Sequence, residues 1–327
     1  MKKFINFPET LLAESLDGFA AAHADIVILG PEYKFVRRRS LTPGKVALVS
    51  GGGSGHEPLH VGFVGVGMLD AACPGQVFTS PTPDQIVEAA QAVGGDAGVL
   101  FIVKNYAGDR MNFEMAAEMA ECRTATILTD DDVAVENSTH SAGRRGVAGT
   151  LVVEKIVGAA AERGADLARC VVLGERVNAG TRSMGVALTS CTVPAAGSPT
   201  FALSADEMEM GVGIHGEPGR RRVKLARAER IADEMTTAII SDLGDRAAGD
   251  LLLFVNGFGG TPSIELYLMY NAARRLLEER GLRVVRSLVG SFVTSLEMAG
   301  CSITVSALDS EMIVLWDQPV HTAALRW

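Results

Sequence analysis

Two glycine-rich turns each carry a histidine just ahead of a Glu-Pro pair. His56 lies in Gly51-Gly52-Gly53-Ser54-Gly55-His56-Glu57-Pro58, and His215 in Gly211-Val212-Gly213-Ile214-His215-Gly216-Glu217-Pro218-Gly219. Glycine lets main-chain N–H groups come close to a small polar ligand. An imidazole there can exchange a proton or attack an electrophile at neutral pH. Each turn follows a segment that reads as a strand, so the pair predicts one small-molecule site built by two halves of the chain. Lys104 and Asp109 bracket the turn after another apolar run, beyond a strand's carboxyl end, where the ligand sites of α/β sheets lie. Taken singly, each of these four is a hydrogen-bonded histidine or a solvated charge. Together, facing the Gly53-Ser54-Gly55-His56 loop, they predict a polar pocket whose ligand the residues do not name. His23, His60, His140 and His321 lack such surroundings and are read as structural.

Several strings imitate other chemistries. His56-Glu57-Pro58-Leu59-His60 spells HExxH, but that zinc site needs a continuous helix, and Pro58 inside it with Gly55 before it argues against one. Gly52-Gly53-Ser54-Gly55-His56 approximates a nucleophile elbow, with histidine where GxSxG requires glycine; a hydrolase resting on Ser54 is the weakest reading. Gly211–Gly216 matches GxGxxG, yet Pro218-Gly219 stops the helix that a dinucleotide site requires. No P-loop string occurs. Asp130-Asp131-Asp132 is read as a solvated turn, with Mg²⁺ as its alternative; no metal is expected on this chain.

Positioning such residues calls for short apolar runs alternating with amphipathic stretches, the pattern of an α/β protein. Strands are expected at Lys45–Ser50, Gly98–Lys104, Thr124–Leu128, Ser183–Thr189, Glu209–Ile214, Leu251–Asn256, Val284–Val289, Ser302–Ala307 and Met312–Trp316. Helices are expected from Pro83 to about Val93, where Thr82 and Gln85 form a capping box, and over Arg144–Arg163, Leu167–Asn178, Leu225–Leu243 and Ser263–Arg280. The 105–109 segment is read as a polar loop. The fold class is α/β, with two α/β domains, each a mixed β-sheet flanked by helices. Residues 1–182 carry the first histidine loop and the Lys104–Asp109 loop; residues 183–327 carry the second histidine loop.

With 327 residues, 47% hydrophobic and 21% charged, the chain can bury a sizeable core. A net charge of -9 opposes nucleic-acid binding, which needs a basic footprint. The five cysteines are scattered and lack a CxxC pair, so they read as buried thiols of a reducing compartment. Pro8, Glu9 and Glu14 interrupt any signal-peptide core, and no apolar run approaches bilayer length. A cytoplasmic protein without membrane contact is expected.

The order of motifs is more specific than any one of them. The first histidine loop is followed by Ala72-Cys73-Pro74-Gly75, Phe78-Thr79-Ser80-Pro81-Thr82-Pro83-Asp84, Lys104-Asn105-Tyr106-Ala107-Gly108-Asp109 and Asp130-Asp131-Asp132-Val133-Ala134-Val135. Ala142-Gly143-Arg144-Arg145-Gly146, Cys191-Thr192-Val193-Pro194, the second histidine loop and Thr294-Ser295-Leu296-Glu297-Met298-Ala299-Gly300 complete the series. In this order, from Lys2 to Trp327, the chain resembles the substrate-binding K subunit of dihydroxyacetone kinases.

The resemblance implies roles for these residues. His215 would bind the ketone carbonyl as a covalent hemiaminal. His56, in the substrate-binding stretch Gly53-Ser54-Gly55-His56, would hydrogen-bond the substrate and share in proton transfer. Asp109 would bind the substrate hydroxyl and prepare it for phosphoryl transfer, and Lys104 would contact the substrate. A neutral imidazole is nucleophilic toward a ketone, and a covalent anchor excludes glycerol, which has no carbonyl. Single-chain ATP-dependent members carry a helical nucleotide-binding domain after the K domain, and no such segment follows here. The resemblance is therefore to the separate subunit, with no cofactor of its own. Its partner would be a nucleotide-binding L subunit holding ADP or ATP with Mg²⁺, recharged in bacterial versions by a phosphocarrier of the phosphoenolpyruvate:sugar phosphotransferase system. A homodimer is expected, with apolar edge strands near residues 284–316. A related ketose such as erythrulose, or a ketone-sensing role beside a transcription regulator, are the alternatives.

Overall fold

Alternate residues of the apolar runs face different layers. Along 99–103, Leu100 and Ile102 enter one core while Val99, Phe101 and Val103 enter another. Along 251–255, Leu252 and Phe254 enter the same core as Leu100 and Ile102, whereas Leu251, Leu253 and Val255 enter a third. Strands buried on both faces are continuous apolar runs for this reason. The computed structural model describes residues 2–134, 143–217 and 219–327.

Two mixed six-stranded sheets result among the described residues. The first runs β1 (Val27–Leu29), β2 (Val36–Arg38), β5 (Ala71–Val77), β3 (Ala47–Ser54), β6 (Val99–Lys104), β7 (Thr124–Thr129), with its last four strands parallel. The second runs β10 (Arg221–Lys224), β9 (Glu207–Met210), β8 (Thr181–Ala187), β13 (Gly300–Leu308), β11 (Asp250–Gly257), β12 (Arg283–Gly290), in which only β11 and β12 are parallel. A small ribbon joins β4 (Gly65–Val66) to β14 (His321–Thr322). Helices α2 (Pro83–Val93) and α3 (Ala107–Met119) cover the outer face of the first sheet, and α6 (Ala228–Leu243) and α7 (Ser263–Glu279) that of the second. Between the sheets lie α4 (Gly149–Glu162) and α5 (Leu167–Ala179), each touching both, with α8 (Ser310–Trp316) against α4 and β13. The remaining helix, α1 (Leu11–Ala22), packs on β1. The order of layers is helix, sheet, helix, sheet, helix.

The mixed α/β class follows the expectation, and the capping box of Thr82 and Gln85 opens α2. Several segments differ. Met312–Trp316, expected as a strand, is helical: the Asp309 carboxylate accepts from Met312 N (2.9 Å) and starts α8. The glycines after Ser50 continue β3 as far as Ser54, and α3 begins inside the supposed 105–109 loop. The strand before His215 stops at Met210, because Gly211 turns the chain with φ +77°. The helix expected from Arg144 begins at Gly149. Asp131 and Asp132, read as a solvated turn, are buried. The Asp131 carboxylate accepts from Val147 N (2.8 Å) and Gly149 N (2.7 Å) at the head of α4. Of the 284–316 segments only β12 lies at a sheet edge. All five cysteines are free, four of them buried. His140 falls outside the described residues. Among those described, no helix is long and apolar enough to cross a membrane.

Candidate functional site

β3 ends in glycines because other groups occupy the space of a side chain. A Cβ on Gly52 would stand 2.2 Å from Lys104 Nζ, and one on Gly53 would stand 2.5 Å from Thr79 N. Lys104, the last residue of the neighbouring β6, thus tucks its ammonium under the loop. That ammonium is fully buried and faces three acceptors: Gly51 O (3.1 Å), His60 Nε2 (2.9 Å) and Asp109 Oδ2 (3.4 Å). Asp109 sits in the first turn of α3, and its other oxygen accepts from Ser80 Oγ.

His56 is held from the other half of the chain. Its Nδ1 lies 2.8 Å from the carbonyl oxygen of Thr294. A carbonyl only accepts, so the ring proton is on Nδ1 and Nε2 keeps its lone pair. That Nε2 is buried without a hydrogen-bond partner. Burial, then the neighbouring His215 and Lys104, hold the ring's pKa well below the usual value, so it is neutral.

The two histidine rings meet edge to face, with centroids 4.6 Å apart. Phe78 stacks on His56 at 5.1 Å, and Tyr106 stands edge-on to His215 at 4.4 Å. Beside them opens a cavity of about 450 Å³, lined among others by Gly53, Phe78, Ser80, Tyr106, Asp109, His215 and Glu217. Volume and polarity suit a small hydroxylated molecule.

The glutamate of each Glu-Pro pair folds back on its own turn. Glu57 accepts from Gly55 N (2.9 Å), and Glu217 from His215 N (2.8 Å). Glu217 Oε1 also lies 3.9 Å from His215 Nδ1 and 3.3 Å from Arg145 Nη1. Burial pushes this carboxyl up, but His215 and Arg145 more than offset that and keep it well below the usual carboxylate range. Arg145 is itself buried, bonding Asp132 Oδ2 (2.8 Å) and Gly211 O (2.7 Å). A carboxylate on the Nδ1 side of the ring leaves Nε2 of His215 clear of Glu217.

The structure therefore gathers His56, His215, Asp109 and Lys104, with Gly53 on the cavity wall. Lys104 lies behind that wall, its N–H bonds already directed at protein acceptors. Ser54 Oγ donates to Gly75 O (2.7 Å), which turns its proton into the sheet and removes the support for a serine nucleophile. Residues 56–60 form turns, not a helix. Among the described residues, no cluster of three or more His, Cys, Asp or Glu is arranged to hold a metal. Four participants escaped the sequence reading: Glu217, Arg145, Thr294 and His60. The repeated Glu-Pro after each histidine was the available signal for Glu217. His60, read as structural and apart, bonds Lys104 directly.

A Dak1 domain matches residues 17–324. The chain is 46% identical over 354 residues to the PEP-dependent dihydroxyacetone kinase, dihydroxyacetone-binding subunit DhaK, of Escherichia coli (strain K12), covering 100% of this chain and 99% of that protein. It is 49% identical over 328 residues to the corresponding subunit of PTS-dependent dihydroxyacetone kinase 1 of Listeria innocua, covering 99% and 100%. Among solved structures, the dihydroxyacetone kinase operon co-activator DhaQ superposes with TM-score 0.90 at 34% identity, over 95% of this chain and 97% of that one. The dihydroxyacetone kinase of C. freundii with AMP-PNP and Mg²⁺ superposes with TM-score 0.91 at 35% identity, over 99% of this chain and 61% of that one. With its family domain over most of its length and such relatives matched end to end, the chain belongs to the Dak1 family, as a K-type subunit of the dihydroxyacetone kinases.

Proposed function

We propose that this protein captures dihydroxyacetone on His215 and presents its hydroxyl for phosphorylation by nucleotide held on a separate L subunit. The observation that carries the proposal is the meeting of His56 and His215 at 4.6 Å beside a cavity whose wall includes Asp109. Nε2 of His215 attacks the carbonyl carbon, and the π pair moves to oxygen. The Nδ1 proton of the imidazolium passes to Glu217 and from there, through solvent in the cavity, to the alkoxide oxygen, giving a neutral hemiaminal with Glu217 ionised again. The free Nε2 of His56 accepts a hydrogen bond from the hydroxyl so formed. Asp109 then orients a terminal hydroxyl and takes its proton as the phosphoryl group arrives. The PEP- and PTS-dependent names of the two relatives support a phosphotransferase-system donor acting through L-bound ADP. A cytoplasmic location, a homodimer and a domain division near residue 182 belong to the same proposal.

The likeness to the DhaQ co-activator supports a second reading, ketone sensing for a transcription regulator. Mixing the protein with an L subunit, a phosphoryl donor and dihydroxyacetone separates the two. Phosphorylated ketone is expected only when all are present, with a mass adduct on His215 that hydride does not trap. Ketone capture without turnover would favour the sensor. A Schiff base on Lys104 would refute the histidine mechanism.

A further inference from the structure

We propose that Glu154 and His60 are positioning residues for phosphoryl transfer, orienting the Lys104 ammonium on Asp109 from inside the core. This rests on the reading of Asp109 as the base.

The contacts form one path from the helical layer between the sheets to the cavity. Glu154 Oε1, on α4, lies 2.7 Å from His60 Nδ1; His60 Nε2 lies 2.9 Å from Lys104 Nζ; and Nζ lies 3.4 Å from Asp109 Oδ2. All four residues are buried. Chemistry sets the direction of each link. An ammonium only donates, so His60 Nε2 accepts. Burial, then Lys104 and His56, hold the His60 pKa well below the usual value, so the ring is neutral and its one proton is on Nδ1, donated to Glu154. Glu154 thus fixes the tautomer that lets His60 receive Lys104. With Gly51 O as its other hydrogen-bond acceptor, the ammonium is held in ion-pair contact with Asp109 Oδ2.

Packing alone does not account for Glu154. It stands between Val153 and Lys155 on a helix whose neighbouring residues enter the apolar core between the sheets, and its Oε2 is buried without a partner. Burial pushes its carboxyl up to about 8. An apolar side chain of similar volume serves packing better, and groups kept at such a cost gather at functional sites.

Glu154→Leu keeps the volume but removes the oxygen beside His60 Nδ1. The ring proton is then no longer held on Nδ1, and the Nε2 acceptor for Lys104 is no longer fixed. In the complex with L and donor, kcat should fall at least ~10-fold, short of the ~10²–10⁴-fold expected for loss of a base. KM for dihydroxyacetone and the mass adduct on His215 should stay unchanged. His60→Gln should behave alike, and ¹⁵N spectra of labelled histidine should show the His60 proton no longer confined to Nδ1 in Glu154→Leu. In an Asp109→Asn background, Glu154→Leu should cost nothing further. Unchanged kcat in both single variants would overturn the inference, as would an equal loss in both Asp109 backgrounds or a joint loss of capture and turnover. Full turnover by Asp109→Asn alone would instead remove the base reading, and this inference with it.

Discussion

Replacing Glu154 with glutamine should make the protein more stable, and by an amount that depends on pH. Folding moves this carboxyl from its ordinary value of 4.5 to about 8, with burial the main cause and Lys104 and Ser50 opposing it. At about 1.4 kcal/mol per pH unit the full effect is about 5 kcal/mol. The sign follows from linkage. Below 4.5 the acid is protonated in both states and costs nothing. As pH rises the unfolded chain ionises first, so stability is progressively lost until the folded acid ionises too, near 8. The loss is then about 1 kcal/mol at pH 5, about 3 at pH 7 and about 5 at pH 9. Glutamine has no proton to lose, so its advantage over the native residue should widen by about 4 kcal/mol from pH 5 to pH 9. At roughly 2 °C per kcal/mol for a chain of this size, the difference in Tm should grow by about 8 °C. Thermal unfolding of both proteins at pH 5, 7 and 9 measures it. A Tm difference independent of pH would show that Glu154 is not a buried acid forced to hold its proton.

Asp109→Asn should spare the ketone adduct and lower turnover by ~10²–10⁴-fold, measured with L and donor present; near-full turnover would leave the carboxylate as a binding group only. Glu217→Gln should slow adduct formation on His215 without abolishing it, followed by intact mass against time, because the carboxylate beside Nδ1 is lost while the Oε2-type contact to His215 N can persist. Gly52→Ala puts a Cβ 2.2 Å from Lys104 Nζ, so the ammonium must shift; turnover should fall with the fold retained, as checked by circular dichroism. Light scattering at micromolar concentration should report a homodimer.

Much of the framework was legible because its causes are local. Val99–Lys104 and Asp250–Gly257 are apolar runs of strand length, and Thr82 and Gln85 announce the start of α2 three residues apart. The loops of His56 and His215 stand out because glycine is required wherever another group fills the side chain's place, as Lys104 does at Gly52. Where local pattern is ambiguous, the neighbours decided. Met312–Trp316 is apolar enough for either a strand or a helix turn; the Asp309 cap and the space against α4 and β13 made it helical. The acidic run at 130–132 has the composition of a solvated turn, and only the arrival of Arg145 and the head of α4 explains its burial. His60 is the extreme case. Besides Ser50, ten residues off, its partners lie 44 residues away at Lys104 and 94 residues away at Glu154. Sequence by itself determined which residue types could do the chemistry and which segments could carry them. Which buried groups share protons was decided by tertiary structure alone, because a hydrogen bond depends on distances of about 3 Å that no local periodicity encodes.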